Sequence, residues 1–129
     1  MAHKILIAED EPNIVLSLEF LLKEAGYEVA VARDGSEAIR LAGTLHPALV
    51  VLDVMLPSVN GFEVCRFLRE NRETKDIKIL ILTARGRESE VEKGLAAGAH
   101  AYMTKPFATR ELVNAVAELL GRSDTQKPG

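Results

Sequence analysis

The chain alternates short apolar segments with longer amphipathic ones, and this pairing recurs five times. The apolar segments predict strands at residues 4–8, 28–32, 48–52, 78–82 and 101–103. The amphipathic segments predict helices at residues 12–25, 36–45, 61–71, 88–97 and 109–121. Four strands are almost wholly apolar, which is typical of parallel strands covered by helices on both faces. The pattern therefore predicts an α/β fold, a doubly wound parallel sheet with right-handed crossovers.

Residues typical of sheet edges and helix ends support these boundaries. The second strand alternates polar and apolar side chains, which favours an edge or half-covered position in the sheet. Pro12 suits a first helical turn, and Gly26 and Gly98 suit the positions just after the first and fourth helices. Asp34 and Glu37 have the spacing of a capping box at the start of the second helix.

Length and composition indicate one globular domain. The chain has 129 residues, 47% of them hydrophobic, so we expect one domain over residues 1–122 and a polar tail or linker stub at 123–129. The net charge is −3 without a basic run, so direct nucleic-acid binding is not expected. No apolar run reaches membrane-spanning length, and the N-terminus enters a strand without a signal peptide. With Cys65 as its one cysteine, expected to be buried and inert, the protein is predicted to be cytoplasmic.

Polar side chains collect where four of the predicted strands end. Glu9 and Asp10 follow the first strand, and Asp53 follows the third. Thr83 follows the fourth strand and Lys105 follows the fifth. A carboxylate at the end of a buried strand is costly unless something there uses its charge. Because open α/β sheets bind ligands at the carboxyl ends of their strands, this arrangement predicts a ligand site.

The three acids predict a divalent cation. If the first and third strands are neighbours, Glu9, Asp10 and Asp53 lie within about 5 Å of one another across the sheet. Carboxylates so close repel one another, and each raises the pKa of the others unless a cation neutralises them. Oxygen ligands in an open cleft favour Mg²⁺, which keeps several waters. Alternatively, Glu9, Asp10 and Glu11 only open the first helix, where acids suit the dipole, but this leaves Asp53 unexplained.

Lys105 and Thr83 extend the site toward phosphoryl chemistry. Lys105 precedes Pro106, and a cis bond at this step would aim its ammonium into the cleft. An ammonium beside a metal-bound carboxylate suits a transferring phosphoryl group, to which Thr83 would also donate a hydrogen bond. Taken singly, Lys105 would be a solvated charge and Thr83 a packing or capping residue. Together with the acids, they predict that Asp53 attacks a phosphoryl donor and becomes an acyl phosphate.

From about residue 4 to residue 120, the sequence resembles the receiver domains of two-component response regulators. Four motifs in order carry the resemblance: Ile-Leu-Ile-Ala-Glu-Asp-Glu at 5–11, Asp-Val-Met-Leu-Pro at 53–57 with Gly61, Thr-Ala at 83–84, and Lys-Pro-Phe at 105–107. Each motif is weak alone, but all four at these spacings are very specific. The resemblance implies a flavodoxin-like receiver fold, with five parallel strands in the order 2-1-3-4-5 flanked by five helices.

The resemblance also implies a role for each residue of the cluster. Asp53 would be the phosphoacceptor. Asp10, Asp53 and the backbone carbonyl of Met55 would hold Mg²⁺, and Glu9 would act through water. Lys105 would pair with the phosphoryl group. The donor would be a sensor histidine kinase or a histidine phosphotransfer protein, and the chain would catalyse its own phosphorylation and dephosphorylation without being a turnover enzyme.

Thr83 and Tyr102 would form the switch in such a domain. The resemblance implies that the hydroxyl moves toward the phosphate while the ring turns inward behind it. Periodicity alone would instead make Tyr102 a half-buried core residue. The switch would change a surface that binds a downstream effector protein or domain.

The outward face of the first helix carries a candidate docking surface. Leu16 and Phe20 lie one turn apart, opposite the apolar stripe formed by Ile14, Leu18, Leu21, Leu22 and Ala25. Scattered exposed apolar residues are normal, so the pair need not have a function. Because family members meet the helical bundle of the donor with this helix, we interpret Leu16 and Phe20, with Pro106 and Phe107, as residues that dock the kinase.

The self-association of the domain is predicted to be weak. In the family's large DNA-binding subfamily, an acidic pair commonly precedes the switch tyrosine and a basic residue lies in the fifth helix, where dimers form. Here His100 and Ala101 occupy the acidic positions, and Asn114 and Ala115 lie near the basic one. These departures favour a monomer or a weak phosphorylation-dependent dimer, and a stand-alone receiver or a module of another regulator type.

Three other functions are weighed against a phosphoaccepting receiver. A flavodoxin-type flavin binder would share the sheet, but the acids after the first strand would repel its phosphate. A turnover phosphatase with an aspartate nucleophile would need a second acid two residues after Asp53, where Met55 lies. A phosphorylation-independent receiver-like interaction module would be expected to lack one of Asp10, Asp53, Thr83 or Lys105, and all four are present.

Overall fold

A computed structural model describes residues 3–84 and 88–121 of the protein. The strands are β1 Lys4–Ala8, β2 Glu28–Ala32, β3 Leu49–Asp53, β4 Lys78–Ala84 and β5 Ala101–Lys105. The helices are α1 Pro12–Glu24, α2 Gly35–Leu45, α3 Gly61–Glu70, α4 Val91–Ala96 and α5 Thr109–Leu119. None of the helices in the described part of the chain is both long and apolar enough to cross a membrane.

The strands form a single parallel sheet in the order β2-β1-β3-β4-β5. This order confirms the predicted fold class and places β2 at one edge, as its polar and apolar alternation indicates. The strands β1 and β3 are direct neighbours, with Ala8 opposite Leu52. The residues that follow these two strands therefore emerge side by side at the carboxyl edge of the sheet.

Each face of the sheet is covered by its own apolar core. The helices α2 and α3 pack on one face, where Ala42 and Leu68 are fully buried beneath them. The helices α1 and α5 pack on the other face, through fully buried Leu22 and Leu112. Successive residues of a strand point to opposite faces, so a strand buried on both sides must be apolar throughout. This requirement explains the unbroken apolar runs in the sequence.

Three strands, β3, β4 and β5, continue further than their apolar runs predict. The strand β4 extends to Ala84 and β5 extends to Lys105, because Thr83 pairs with Thr104 and Ala84 pairs with Lys105. Asp53 is likewise the last residue of β3 and lies opposite Leu82. Asp53, Thr83 and Lys105 thus lie within the ends of their strands, whereas Glu9 and Asp10 follow β1 as predicted.

The fourth helix is shorter than predicted. A 3-10 turn covers Glu88–Glu90, and the α-helix is only Val91–Ala96. No side chain caps its first turn, and Gly94 in its middle is a weak helix former. The predictions for residues 1–2 and for the 123–129 tail, with its boundary at 122, lie outside the described residues.

Candidate functional site

Two buried acids lie beside one another at the carboxyl edge of the sheet. Glu9 follows β1, its side chain has a relative exposure of 1%, and its backbone amide donates to the carbonyl of Ala32 at 3.0 Å. Asp53 ends β3 and is also buried. Asp10, the next residue after Glu9, is exposed. One carboxylate oxygen from each of the three acids lies within 4.8 Å of the others, so the structure brings the predicted acidic cluster together.

Backbone amides hold the two buried carboxylates. The amide of Glu11 donates to Glu9 Oε2 at 3.1 Å. The amide of Met55 donates to Asp53 Oδ1 at 3.3 Å. Each bond joins residues two apart in sequence, so the turn that follows each strand also orients the acid at its end.

Lys105 lies between the buried acids. Its Nζ donates to Glu9 Oε1 at 3.0 Å and lies 3.4 Å from Asp53 Oδ1. The Lys105–Pro106 peptide bond is cis. Three carboxylates against one ammonium leave a surplus of negative charge in the cluster.

Burial and neighbouring charges shift the pKa values of both Glu9 and Lys105. Burial of Glu9, followed by the negative charge of Asp53, raises the pKa of the Glu9 carboxyl above its ordinary value. Burial lowers the pKa of Lys105, but the charges of Asp53 and Glu9 outweigh this effect, so the pKa of its ammonium is raised. The lysine therefore keeps its charge at neutral pH.

The chemistry of the cluster fits Mg²⁺. All three acidic ligands are oxygens, two are held at fixed positions by backbone amides, and the third is exposed to water. Mg²⁺ prefers oxygen ligands and binds through few carboxylates while keeping several waters. A surplus of negative charge around buried carboxylates is also what a divalent cation would relieve. Glu9, Asp10 and Asp53 are the side chains that could hold it, and the amide contact of Met55 with Asp53 keeps the predicted fourth ligand, the Met55 carbonyl, on the loop next to them.

Gly61 allows the loop after β3 to fold back on the site. Its amide donates to the carbonyl of Val54 at 2.9 Å. A Cβ atom at this position would lie 2.5 Å from the carbonyl oxygen of Asp53 and 2.8 Å from the Cα of Val54. Only glycine permits this close approach of two backbone segments. Gly61 is therefore required because any side chain at this position would collide with the backbone of Asp53, the candidate phosphoacceptor.

Thr83 and Tyr102 lie on the same face of adjacent strands. Thr83 is buried and pairs with Thr104, and Tyr102 lies two residues earlier in β5, opposite Ile81. Tyr102 has a relative exposure of 48%, so it is about half-buried as periodicity alone predicts, but it is not part of either apolar core. Tyr102 belongs to the last strand of the sheet, which lacks a neighbour on one side and leaves room for an outward ring.

The four candidate docking residues lie in two places: Pro106 and Phe107 line a groove beside α1, and Leu16 and Phe20 lie on the exposed face of α1 outside that groove. A groove of about 450 Å³ lies between α1 and the segment after β5, and its lining includes Ile14, Ser17, Pro106 and Phe107. Leu16 and Phe20 are each 65% exposed on α1, as their positions opposite the apolar stripe predict, but they do not line this groove.

The parallel sheet in the order 2-1-3-4-5 places this protein among the doubly wound, flavodoxin-like α/β domains. The acidic cluster and the lysine at the carboxyl edge of the sheet define the kind of site, and sequence comparison identifies the family. The profile of the response regulator receiver domain matches residues 5–117. The chain belongs to this family.

Two relatives are transcriptional regulators. The alkaline phosphatase synthesis transcriptional regulatory protein PhoP of Bacillus subtilis is 45% identical over 128 residues, which are 99% of this chain and 52% of that protein. The phosphate regulon transcriptional regulatory protein PhoB of Rhizobium meliloti is 47% identical over 124 residues, which are 95% of this chain and 54% of that protein. The chain thus spans about half the length of both relatives.

A solved structure supports the fold and the kind of site. The receiver domain of the sensor histidine kinase PA1611 of Pseudomonas aeruginosa superimposes with a TM-score of 0.86 at 30% identity, covering 94% of this chain and 99% of that one. That structure holds a magnesium ion coordinated in its active-site cleft.

Proposed function

We propose that this receiver domain accepts a phosphoryl group on Asp53 from a histidine kinase or a histidine phosphotransfer protein, in a Mg²⁺-dependent reaction. The observation that carries the proposal is the position of the Asp53 carboxylate. It is buried at the end of β3, within 4.8 Å of two other acids, and Lys105 Nζ lies 3.4 Å from its Oδ1. A carboxylate nucleophile beside a metal site and a fixed cation suits phosphoryl transfer.

The residues of the chain would act in the following way. A carboxylate oxygen of Asp53 attacks phosphorus, the bond from phosphorus to the donor histidine nitrogen breaks, and an acyl phosphate forms on Asp53. Lys105, already charged, stabilises the negative charge on the phosphoryl oxygens. Glu9, Asp10, Asp53 and the Met55 carbonyl would hold Mg²⁺, which supplies further positive charge when bound. Water later hydrolyses the acyl phosphate, which restores the Asp53 carboxylate and releases inorganic phosphate. We propose that the domain carries out these steps only on itself and is not a turnover enzyme.

The proposed response to phosphorylation is a change at Thr83 and Tyr102. Thr83 is buried near the end of β4, and Tyr102 is an exposed ring on the same face of the neighbouring strand. A hydroxyl drawn toward the phosphate would leave space behind it, and the ring of Tyr102 would turn into that space. The altered surface around β5 would then bind an effector protein or domain.

The proposed partner surface for the phosphodonor combines Leu16 and Phe20 with Pro106 and Phe107. Its support is the exposure of the first two side chains and the groove that the last two line beside α1. We further propose a cytoplasmic location and a monomer or weak phosphorylation-dependent dimer. The stand-alone receiver or module of another regulator type, and the absence of direct nucleic-acid binding by this domain, stay predictions.

Labelling with a small phosphodonor tests the proposal. Acetyl phosphate with Mg²⁺ should increase the intact mass of the wild-type chain by one phosphoryl group, and Asp53→Asn should remain unlabelled. Chelation of Mg²⁺ should abolish labelling of the wild type. An unlabelled wild type that still binds its partners would instead favour a phosphorylation-independent interaction module.

A further inference from the structure

The loop that follows Asp53 is held from two sides. At its β3 side, the amide of Val54 donates to the carbonyl of Leu82 at 3.1 Å, and the amide of Gly61 closes the loop on Val54. At its far side, residues 57–59 pack on the first turn of α2. Between these anchors lies Met55, whose amide contacts Asp53. The position of Met55 thus depends on both ends of the loop.

The first turn of α2 contacts the loop through four polar interactions. The amide of Gly35 donates to the carbonyl of Pro57 at 3.0 Å. The amide of Ser36 donates to Ser58 Oγ at 3.2 Å, and the two serine hydroxyls also lie 3.2 Å apart. Ser58 Oγ donates in turn to Asp34 Oδ1 at 3.5 Å. We call these contacts the serine clamp, formed by residues 34–36 of α2 and its cap and by residues 57 and 58 of the loop.

The backbone shows that this contact is specific. Ser58 has a φ of 67°, in the left-handed region that a serine rarely adopts. Gly35 lies against Val59 so closely that a Cβ atom on it would overlap the Val59 carbonyl. A helix leaves its first amides without partners inside the helix, and here the loop carbonyl of Pro57 and the hydroxyl of Ser58 satisfy two of them.

We infer that Ser58 is a positioning residue for Mg²⁺ binding, because its hydroxyl anchors the loop that carries Met55, whose amide donates to Asp53 Oδ1 and whose carbonyl would be a metal ligand. The inference rests on the proposed function, in which that carbonyl is a metal ligand. Groups that orient metal ligands from behind commonly affect metal affinity although they do not touch the ion.

Calorimetry on variants at position 58 tests the inference. Ser58→Ala removes the hydroxyl and keeps a Cβ at positive φ, whereas Ser58→Gly removes the hydroxyl and suits that φ. Both should raise the dissociation constant for Mg²⁺ by up to about tenfold, the lower end of the effect of losing a group bonded directly to a ligand, because Ser58 acts through the loop and not on a ligand itself. Ser58→Gly should be the more stable of the two proteins. If both variants nevertheless lose Mg²⁺ affinity to the same extent, the loss comes from the missing hydroxyl and not from a lower stability.

A matched control and a second readout separate positioning from folding. Thr44→Ala removes another exposed α2 hydroxyl, which donates to the Arg40 carbonyl at 2.9 Å, and should leave Mg²⁺ affinity unchanged. The Mg²⁺ concentration for half-maximal labelling should rise with the dissociation constant, and the rate at saturating Mg²⁺ should stay within about twofold of wild type. If neither variant at position 58 folds, Ser36→Ala, which removes the hydroxyl contact with Ser58 but keeps the amide bond, should raise the dissociation constant by a smaller factor, and an unchanged value would count against the inference.

The possible results are distinct. Unchanged Mg²⁺ affinity in both variants at position 58 would overturn the role of Ser58 and leave the proposed function intact. No Mg²⁺ uptake by the wild type would overturn the proposed function and the inference together. Amide hydrogen exchange without metal gives an independent check, because loss of the clamp should speed exchange at Met55, and unchanged exchange would also count against the inference.

Discussion

Glu9, Asp53 and Lys105 depend on one another electrostatically. Glu9 is almost completely buried, and its pKa is raised first by that burial and then by Asp53. The Lys105 ammonium compensates both acids at 3.0 and 3.4 Å. A buried ion pair stabilises little in itself, but loss of one partner leaves an uncompensated buried charge. Lys105 therefore stabilises the charges of both acids, and both acids stabilise the charge of Lys105, whether or not a ligand is bound.

His100 predicts a pH dependence of stability outside the site. Its Nδ1 accepts a hydrogen bond from the amide of Ile79 at 3.1 Å, which requires the neutral ring. Burial, followed by the positive charges of Arg69 and Lys78, lowers the pKa of His100 below 6.5. The unfolded chain then binds more protons than the folded chain as pH falls below about 6.5, so the free energy of unfolding should decrease there.

Denaturant unfolding measured between neutral and acidic pH checks this expectation. The matched variant His100→Asn keeps an acceptor near the Ile79 amide but does not titrate, so it should show a shallower loss of stability below pH 6.5. Equal slopes for the two proteins would show that other groups cause the pH dependence.

At the scale of the secondary-structure elements, the pairing of β4 with β5 carries two site residues into the sheet. Thr83 and Lys105 were expected after their strands, but both lie inside the ladder. A residue in a hydrogen-bonded ladder is positioned more firmly than one in a loop. The longer strands therefore favour a preorganised site.

The outer face of α1 gives a prediction for the phosphodonor. Leu16→Asp combined with Phe20→Lys should slow transfer from a histidine kinase that labels the wild type, by roughly tenfold or more, because exposed apolar anchors dominate such interfaces. Labelling by acetyl phosphate should stay at the wild-type rate. Time courses of phosphorylation with each donor measure both effects.

Phe67 on α3 offers a matched control, since it is also a large exposed apolar residue at 45% exposure. Phe67→Lys should leave transfer from the kinase unchanged. If the α1 variant lost labelling from both donors equally, the change would lie in the site or the fold, and the docking role would be wrong.

At the scale of the whole molecule, metal binding should be coupled to stability. Three carboxylates converge only in the folded chain, so Mg²⁺ would bind the native state in preference to the unfolded state. At a hundredfold excess over its dissociation constant, Mg²⁺ should stabilise the protein by about 2.7 kcal/mol. Thermal unfolding with Mg²⁺ and with chelator measures the difference.

The increment in melting temperature should disappear in Asp10→Asn and Asp53→Asn, since each removes one charged ligand. The change in melting temperature on adding Mg²⁺ is measured separately for each protein. This is necessary because removing one of three mutually repelling acids also changes the stability of the metal-free protein. A melting temperature of the wild type that is the same with Mg²⁺ and with chelator would contradict the metal site and, with it, the proposed phosphoryl chemistry.

Most of the fold and the acidic cluster could be predicted from sequence, and particular residues show why the rest could not. The predicted apolar stripe of α1 included Ile14 and omitted Val15; Ile14 packs against the core but is only partly buried, whereas Val15 is buried almost completely, at 2% exposure. A helical period identifies a stripe but not its exact centre, which packing against the sheet decides. Ser58 was not a candidate at all, because a serine gives no sign that its φ will be positive.

The sequence by itself determined the order of strands and helices, since a strand buried on both faces must be apolar and an amphipathic helix repeats its apolar residues with the helical period. It also placed Glu9, Asp10, Asp53 and Lys105 at strand ends. Only the tertiary structure decided that these ends meet, that Tyr102 faces outward and that α2 holds the loop after β3. The physical reason is that such contacts join residues far apart in sequence, where local pattern carries no information about distance.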